Sequence, residues 1–589
     1  MTTDTPNSVF FKSKVLGHPS GLFILFFTEM WERFSFYGMR VLLIQFLTAK
    51  VLFGDPMSGW GWSAEQAGAL YGTYVMFLYI TPIFGGILAD KYIGSRWAVI
   101  IGAIIMTLGH ASMAFDTHAT FFAGLALLVL GTGFFKPNMP AILGAMYKNL
   151  PEKKDGAYTI FYMGVNAGAF FGMMLCGYVA ETLGWHWGFG LAGIFMLLGT
   201  FQFWLASPIM GDLGLPNKKM EKSETQTDET LIEKRNPFTV IDYILIALVG
   251  VIGFIYAFND PLSKNGIVDI FHFLDTNLAG DLLRGQTIMI VFALLVFIYL
   301  VISRIVRYEK IVRDRMFGVI MLAFFLIFFF MSFEQGATSL VLVARDYIDR
   351  RLEGNGLLVF NIINTLLTIV PLLLISYVLI RLAQVTWKKI ATSNLVLFLC
   401  FILIWGAAIW MLQREFSAEV SEIKVSWFSI LNSFFIIALA STISKIWDSK
   451  YNPSAAFKYG FGLLFVALGF LVLGLGAMEA SEGVKISMVF LVITYLLHTI
   501  GELFISPVGL SYVSKLVPAR MLAFMFGMWY IAIAIAQKLA AILGGQVQVI
   551  KENYSLSHFF FLFTIIPAAA AVLVMLLNPI LKKLMHNVK

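Results

Sequence analysis

Residues 29–38, Glu29-Met30-Trp31-Glu32-Arg33-Phe34-Ser35-Phe36-Tyr37-Gly38, place two carboxylates, a guanidinium and a phenol inside a segment, Gly21 to Leu47, that otherwise reads as membrane-spanning. Helical spacing of three and four puts Glu29, Glu32, Arg33 and Tyr37 on one face. Each ionised group near a bilayer centre costs about 2.5 to 3.5 kcal/mol, so that face is expected to point at protein or water, not lipid. A buried pair that merely locks helices together would need fewer charges, and Arg40 stands two turns beyond Arg33. The pattern predicts a water-filled path that handles protons and an anionic group.

Composition sets the class. Of 589 residues, 59% are hydrophobic, 13% are charged and 56 are Phe. A soluble chain of this length could not hide so much apolar surface, so an all-α polytopic membrane protein is expected. The first twenty residues are polar and the apolar run after them is too long for a signal h-region, so the first helix is expected to be retained. Cys176 and Cys400 both fall inside apolar segments, which gives no disulfide framework and no metal spacing; no metal or cofactor is expected. Nucleic acid is not an expected partner.

Apolar segments fall at about 21–48, 66–89, 97–115, 120–146, 158–180, 187–208, 240–258, 284–306, 316–344, 356–381, 392–412, 427–446, 457–477, 485–507, 520–546 and 557–580, which predicts sixteen helices. With the N-terminus inside, 28 of the 42 Lys and Arg lie on the cytoplasmic side, 10 outside and 4 within helices, namely Arg33, Arg40, Lys136 and Lys538. That bias predicts cytoplasmic termini. Residues 212–238 are polar and lack apolar periodicity, and read as a linker between two halves. The pair 240–258 and 284–306 reads as lipid-facing filler without buried charge, and the pair 356–381 and 392–412 is equally bland apart from Asn361 and Asn364. Without these pairs, twelve helices remain, six on each side of the linker. The expected organisation is a first bundle over 1–211, linker and extra pair over 212–315, and a second bundle over 316–589 with a helix pair inserted at about 356–412.

Between the second and third segments, Gly85-Gly86-Ile87-Leu88-Ala89-Asp90-Lys91-Tyr92-Ile93-Gly94-Ser95-Arg96 offers glycines for close helix approach and a gating loop in which Asp90 and Arg96 can pair and part. This G-G-x-L-A-D-x-x-x-G-x-R pattern resembles the loop signature of the major facilitator superfamily, which implies two six-helix bundles alternating access to a central site. Lys136 stands in Gly133-Phe134-Phe135-Lys136-Pro137-Asn138, well inside its segment, where a lone ammonium needs a partner; Glu29 and Glu32 are the expected ones. Phe161-Tyr162-Met163-Gly164-Val165-Asn166-Ala167-Gly168 adds an amide. Together E-x-x-E-R-F-x-x-Y-G, F-K-P-N and F-Y-x-x-x-N-x-G resemble the proton-dependent oligopeptide transporter family. In the second half, Phe333-Glu334-Gln335 with Ser339-Leu340 resembles the family's seventh helix. Trp427-Phe428-Ser429-Ile430-Leu431-Asn432, followed by Trp447 and Asn452-Pro453-Ser454, resembles its eighth helix and loop, with Ser429 and Ser433 where Gln and Pro are usual. Gly501-Glu502-Leu503-Phe504-Ile505-Ser506-Pro507-Val508-Gly509-Leu510 matches its tenth helix, and Gly527-Met528-Trp529-Tyr530 its aromatic wall.

The resemblance implies import of di- and tripeptides with protons. Independently, bases gather in the first half (Arg33, Arg40, Lys136) and acids in the second (Glu334, Glu502), a dipole that fits a zwitterion with separated ends. Arg33 and Lys136 are expected to hold the peptide carboxylate and Glu334 the amino terminus. Asn166 and Asn432 would bond the ends or backbone, Tyr37 and Tyr79 would add hydroxyls, Glu502 and Ser506 would share a face of the site, and Trp529 would wall the side chains. Proton coupling is assigned to Glu29, Glu32, Arg33, Lys136 and Glu334, the more so because no His sits in the second helix, where animal relatives carry one. A relative shifted to nitrate or another small anion is the alternative; a membrane enzyme would need a nucleophile–base or metal constellation that the sequence lacks. Compact loops point to a bacterial inner membrane. No role beyond pairing or snorkelling is assigned to Lys538.

Overall fold

A computed structural model of the chain describes residues 13–586 and 588, apart from 116, 217–235, 279–280, 448, 450–451, 479–483 and 519–520. Most of the expected linker, 217–235, thus lies outside the described residues. The helices are α1 (Ser20–Thr48), α2 (Ala64–Leu88), α3 (Ser95–Met113), α4 (His118–Phe135), α5 (Asn138–Met146), α6 (Lys154–Leu183), α7 (Trp185–Ala206), α8 (Val240–Lys264), α9 (Gly285–Val306), α10 (Lys310–Phe333), α11 (Ser339–Asp346), α12 (Gly354–Phe416), α13 (Val425–Trp447), α14 (Ala455–Met478), α15 (Met488–Leu516), α16 (Leu522–Gly544), α17 (Val547–Asn553), α18 (Leu556–Leu576) and α19 (Asn578–Leu584).

Among the described residues, fourteen helical stretches are long and apolar enough to cross a bilayer. One of them, α12, turns at Ile390, whose backbone (φ −135°, ψ 46°) is not helical, and so supplies two crossings. The 29-residue α1 adds another; its charges, not its length, set it apart from the rest. Together these make sixteen crossings among the described residues, an even number.

Helix breaks fall where the sequence forces them and where side chains are needed. Pro137 lacks an amide hydrogen and separates α4 from α5, leaving Lys136 at the end of α4. A single 3-10 turn, Glu334–Ala337, interrupts α10 and α11 and presents Glu334. The first bundle comprises α1–α7 and the second α10, α11 and α13–α18. Within the first, Gly85 lets α2 meet α4: a Cβ there would stand 2.0 Å from the Gly133 carbonyl oxygen. Gly168 and Gly172 bring α6 against α1 in the same way, with a Cβ 2.2 and 2.3 Å from the carbonyls of Met30 and Phe34. Small residues at helix crossings replace the hydrophobic driving force that lipid abolishes.

The extra helices depart from the expectation of filler. The outer flank of α8 does expose Ile241, Ile244, Val251 and Phe254. Its inner flank packs on α2, and the α8–α9 pair buries Asp242, Asn259, Asp260, Gln286 and Arg304. Thr239 caps α8 by accepting from the Asp242 amide at 3.2 Å, and the Asp242 carboxylate receives Arg304 at 3.0 Å and Arg307 at 2.9 Å, so charges at the helix ends pair with each other instead of snorkelling. The inserted α12 lies mainly against α7 and also touches α1 and α6 of the first bundle, although it follows α11 in sequence. Asn361 donates to the Glu415 carbonyl at 3.1 Å, joining its two arms.

The Asp90–Arg96 pair also takes another form. Asp90 is exposed in a π-helical turn, Ala89–Ile93. Arg96 is buried and donates from Nε to the Leu213 carbonyl at 2.9 Å and from Nη2 to Gly211 at 2.6 Å. Carbonyls left over just past the end of α7 are closer acceptors than a solvated carboxylate.

Candidate functional site

A cavity of about 300 Å³ lies between the bundles. One wall comes from α1 (Glu32, Arg33, Phe36, Tyr37, Arg40), α2 (Tyr79), the α4 end (Lys136) and α6 (Tyr162, Asn166). The other comes from α10 and the turn after it (Phe330, Phe333, Glu334), α13 (Ser429, Asn432, Ser433) and α15 (Tyr495, His498, Glu502). Basic groups line the first wall and carboxylates the second, with Glu32 the acid on the basic side.

The charged groups are tied down by specific bonds. Arg33 Nε donates to Glu29 Oε1 at 2.8 Å, one turn back, and lies 3.1 Å from Glu32 Oε2. Both Glu32 carboxylate oxygens are buried without a hydrogen-bond partner. Arg40 donates from Nη2 to Glu334 Oε2, joining the bundles, and from Nε to the Tyr71 hydroxyl at 2.6 Å. Glu334 Oε1 accepts from Gln537 Nε2 of α16 at 2.8 Å. Glu502 accepts from Asn432 Nδ2 at 2.9 Å, and the same amide reaches Thr499 at 3.2 Å. Asn166 Nδ2 donates to the Tyr162 carbonyl one turn back, at 2.9 Å, leaving its oxygen for another donor.

Of the residues singled out in the sequence, Arg33, Tyr37, Tyr79, Lys136, Asn166, Glu334, Asn432 and Glu502 line this cavity, as does Glu32. Glu29 lies behind the wall as the partner of Arg33. The expected ion pair of Lys136 with Glu29 or Glu32 is absent among the described residues: Arg33 occupies both carboxylates, and the ammonium sits 4.3 Å above the Tyr79 ring instead. Trp529 and Ser506 are not on the cavity wall. Trp529 is 3% exposed and fills the slot left by Gly509, where a Cβ would meet its ring at 2.3 Å. The Ser506 hydroxyl is buried without a partner. Sequence reasoning gave no role to Arg40 as the partner of Glu334, nor to Tyr495, His498 and Gln537. Two signals were present: Arg40 follows Tyr37 by three residues on the charged face, and His498 precedes Glu502 by four.

Bonds between the bundles cluster on the face at which α1 and α6 end. Glu181 of α6 accepts from the amides of Val425 and Ser426 at 3.0 and 3.2 Å. Trp427 Nε1 donates to the Met174 carbonyl at 3.2 Å, and Arg345 to Thr48 at 2.8 Å. Among the described residues the inter-bundle hydrogen bonds from α10–α11 and α13–α17 all lie at cavity level or on that side.

Comparison with known proteins gives a consistent result. A peptide transporter of Yersinia enterocolitica is 31% identical over 596 residues, covering 100% of this chain and 98% of its own. A di-/tripeptide transporter of Lactococcus lactis subsp. cremoris is 27% identical, covering 97% and 98%. The crystal structure of a peptide transporter in complex with sulfate superposes with a TM-score of 0.70 at 28% identity, covering 97% of each chain. The POT family description matches residues 96–403 and 359–560. With charged walls facing each other across a two-bundle cavity, and a match running the length of the chain, this integral membrane protein belongs to the POT family of transporters.

Proposed function

We propose that the chain is a proton-coupled symporter that imports di- and tripeptides by alternating access, with both termini in the cytoplasm of a bacterial cell and the cavity closed toward the outside. The observation that carries this reading is the division of charge: Arg33, Arg40 and Lys136 on one wall, Glu334 and Glu502 on the other. Two or three extended residues span about 7 to 11 Å, a length over which a carboxylate and an ammonium can each meet an opposite charge. Arg33 and Lys136 receive the carboxylate, Glu334 the ammonium, and Asn166 and Asn432 the backbone. Recognition of the two ends leaves side chains to the aromatic parts of the wall, which implies broad selectivity. The peptide transporters of Yersinia and Lactococcus noted above support the substrate class.

Glu32 supplies the proton step in this reading. Its two oxygens have unused acceptor capacity beside Arg33, so a proton bound there weakens the Glu32–Arg33 contact and frees the guanidinium for the peptide carboxylate. The excess of Lys and Arg on the side of the termini supports the orientation. The test is uptake of labelled dialanine into proteoliposomes with and without an inward proton gradient. Gradient-dependent accumulation, competed by tripeptides but not by alanine or nitrate, is expected. Glu32→Gln is expected to abolish accumulation yet keep peptide exchange; loss of both would refute the proton assignment.

A further inference from the structure

Lys538 on α16 is 4% exposed and is the one charged residue of that helix. Its Nζ lies 2.5 Å from Asp260 Oδ2 of α8 and donates to Thr73 Oγ1 at 2.8 Å and to the Ala69 carbonyl at 3.0 Å, both on α2. Asp260 is 1% exposed, and its other oxygen is 3.3 Å from Lys264, which reaches Glu65 of α2 at 3.6 Å. Thr73 donates onward to the Ala257 carbonyl of α8 at 2.8 Å, and Gln66 to that of Lys264 at 3.3 Å. One ammonium therefore joins three helices, and α8 is bonded along α2 as well.

Beneath this network the two bundles touch with no space to spare. A Cβ on Gly68 would stand 2.6 Å from the Ala541 carbonyl oxygen, and one on Gly72 would stand 2.6 Å from Ala541 Cβ. Since α2 belongs to the first bundle and α16 to the second, opening the outer face must part them at this line. Lys538 would then lose Thr73 and Ala69. A buried ammonium stripped of partners is costly, and Asp260, carried on α8 and so tied to α2, would part from Lys538 along with them. The preceding residue, Gln537, holds Glu334 in the cavity, and Gln335 Nε2 donates to the Ala540 carbonyl at 2.9 Å. Consecutive turns of α16 thus connect the seam to the carboxylate on the cavity wall.

We propose that Asp260 and Lys538 form a latch that makes the α8–α9 hairpin a working part of the outer gate. Both are positioning residues: neither meets the cavity, and they act by setting how often α2 and α16 separate. The proposal rests on the alternating-access reading above, but its readout does not depend on which solute is carried.

The test uses the full chain in cells, with Cys176→Ala and Cys400→Ala as background and Ala337→Cys as a reporter on the cavity wall. A membrane-impermeant maleimide added outside reports opening of the outer face. Asp260→Asn is expected to raise the labelling rate at least about tenfold, equivalent to about 1.4 kcal/mol. Where that variant does not fold, Asp260→Asn combined with Lys538→Met leaves no uncompensated charge and is expected to raise labelling in the same way. Folded variants that label at the parent rate would overturn the latch. Raised labelling in the variants with a parent protein that fails to carry dialanine would uphold the latch and refute the peptide reading instead; normal dialanine uptake by the parent with unchanged labelling in the variants would do the reverse.

Discussion

Replacing Glu334 by Gln tests how the cavity reads the charged end of its substrate. The carboxylate accepts from Arg40 and from Gln537, and the side chains of Glu334 and Arg40 are only 9% and 12% exposed, so solvent screens the pair weakly. Gln keeps the shape and one acceptor, which lets the Gln537 bond survive, but it removes the negative charge that an ammonium would meet. A hydrogen bond to a charged group contributes about 1.5 to 3 kcal/mol. At 1.4 kcal/mol per tenfold, that corresponds to roughly a 10- to 150-fold weaker hold on a free amino terminus. The assay compares binding of dialanine with binding of N-acetyl-dialanine, which lacks the ammonium. The parent protein is expected to prefer the free peptide by about that factor, and Glu334→Gln to erase the preference while binding the acetylated peptide as before. A parent protein that binds both equally, or a variant that keeps the full preference, would refute Glu334 as the amino-terminal contact. Because the comparison is a ratio within each protein, a general loss of stability in the variant cancels.

The opposite end is tested by Lys136→Met, which removes the ammonium over Tyr79; binding of dialanine is expected to weaken by about tenfold, the value of one charge-assisted bond at the low end, while dialanine amide is unaffected. Gly85→Ala forces a methyl to within 2.0 Å of the Gly133 carbonyl, whereas Gly86→Ala meets only Pro137 Cβ at 3.6 Å. Thermal unfolding is expected to show a loss of about 1 to 3 kcal/mol for the first and little for the second, and equal losses would contradict the close α2–α4 crossing. Outside the membrane, His18 Nδ1 is 2.8 Å from the Tyr147 hydroxyl, and burial, with Lys153 adding to it, holds the imidazole below its ordinary value. The lowered value means that the folded chain favours the neutral ring, so this contribution is present above the unfolded value of about 6.5 and is lost as pH falls through the lowered one. Protection factors of the amides over Lys14–His18, that is exchange rates referred to the intrinsic rate at each pH, are expected to fall on acidification in the parent and to lose that dependence in His18→Gln.

The charged face of α1 was legible because burial in a bilayer makes four charges in one span conspicuous, and helical spacing fixes which of them share a side. The close helix approach at Gly85 was legible for a similarly local reason, whereas the break at Pro137 was not, because 120–146 reads as one apolar run. Partnerships across helices were not. Lys136 looked destined for a carboxylate, but the ring of Tyr79, 57 residues earlier in the chain, was nearer, and Arg33 had already taken Glu29 and Glu32. Arg96 chose carbonyls just past the end of α7, a kind of acceptor that every residue carries and no motif marks. Trp529 sat in a suggestive pattern, yet Gly509 had opened a slot for it away from the cavity. The α8–α9 pair read as lipid-facing because its outer flank is; Asp260 lay just beyond the apolar run, and only its contact with Lys538 explains either charge.

The bond between Arg40 and Glu334 carries the last step. It is at once a contact between the bundles and an occupant of the site proposed for the substrate's amino group. A peptide ammonium approaching Glu334 must displace Arg40 or share the carboxylate with it, so binding and closure of the face at which α1 and α6 end draw on the same charge. A ligand shifts such an equilibrium only by its difference in affinity between the two arrangements. Here that difference has a physical source: where the bundles part, Glu334 loses Arg40 and keeps Gln537, and the freed oxygen is open to an ammonium. The outward-open form is therefore expected to hold free-amino peptides more tightly than the closed one, and N-acetyl peptides equally in both. Trapping the outer face closed by a bifunctional maleimide cross-link between Thr48→Cys and Arg345→Cys, a gap that the long Arg345 side chain spans to donate to the Thr48 hydroxyl at 2.8 Å, should then lower the affinity for dialanine but not for its acetylated form. Equal losses for both peptides would show that closure acts by blocking entry and not by competition for Glu334.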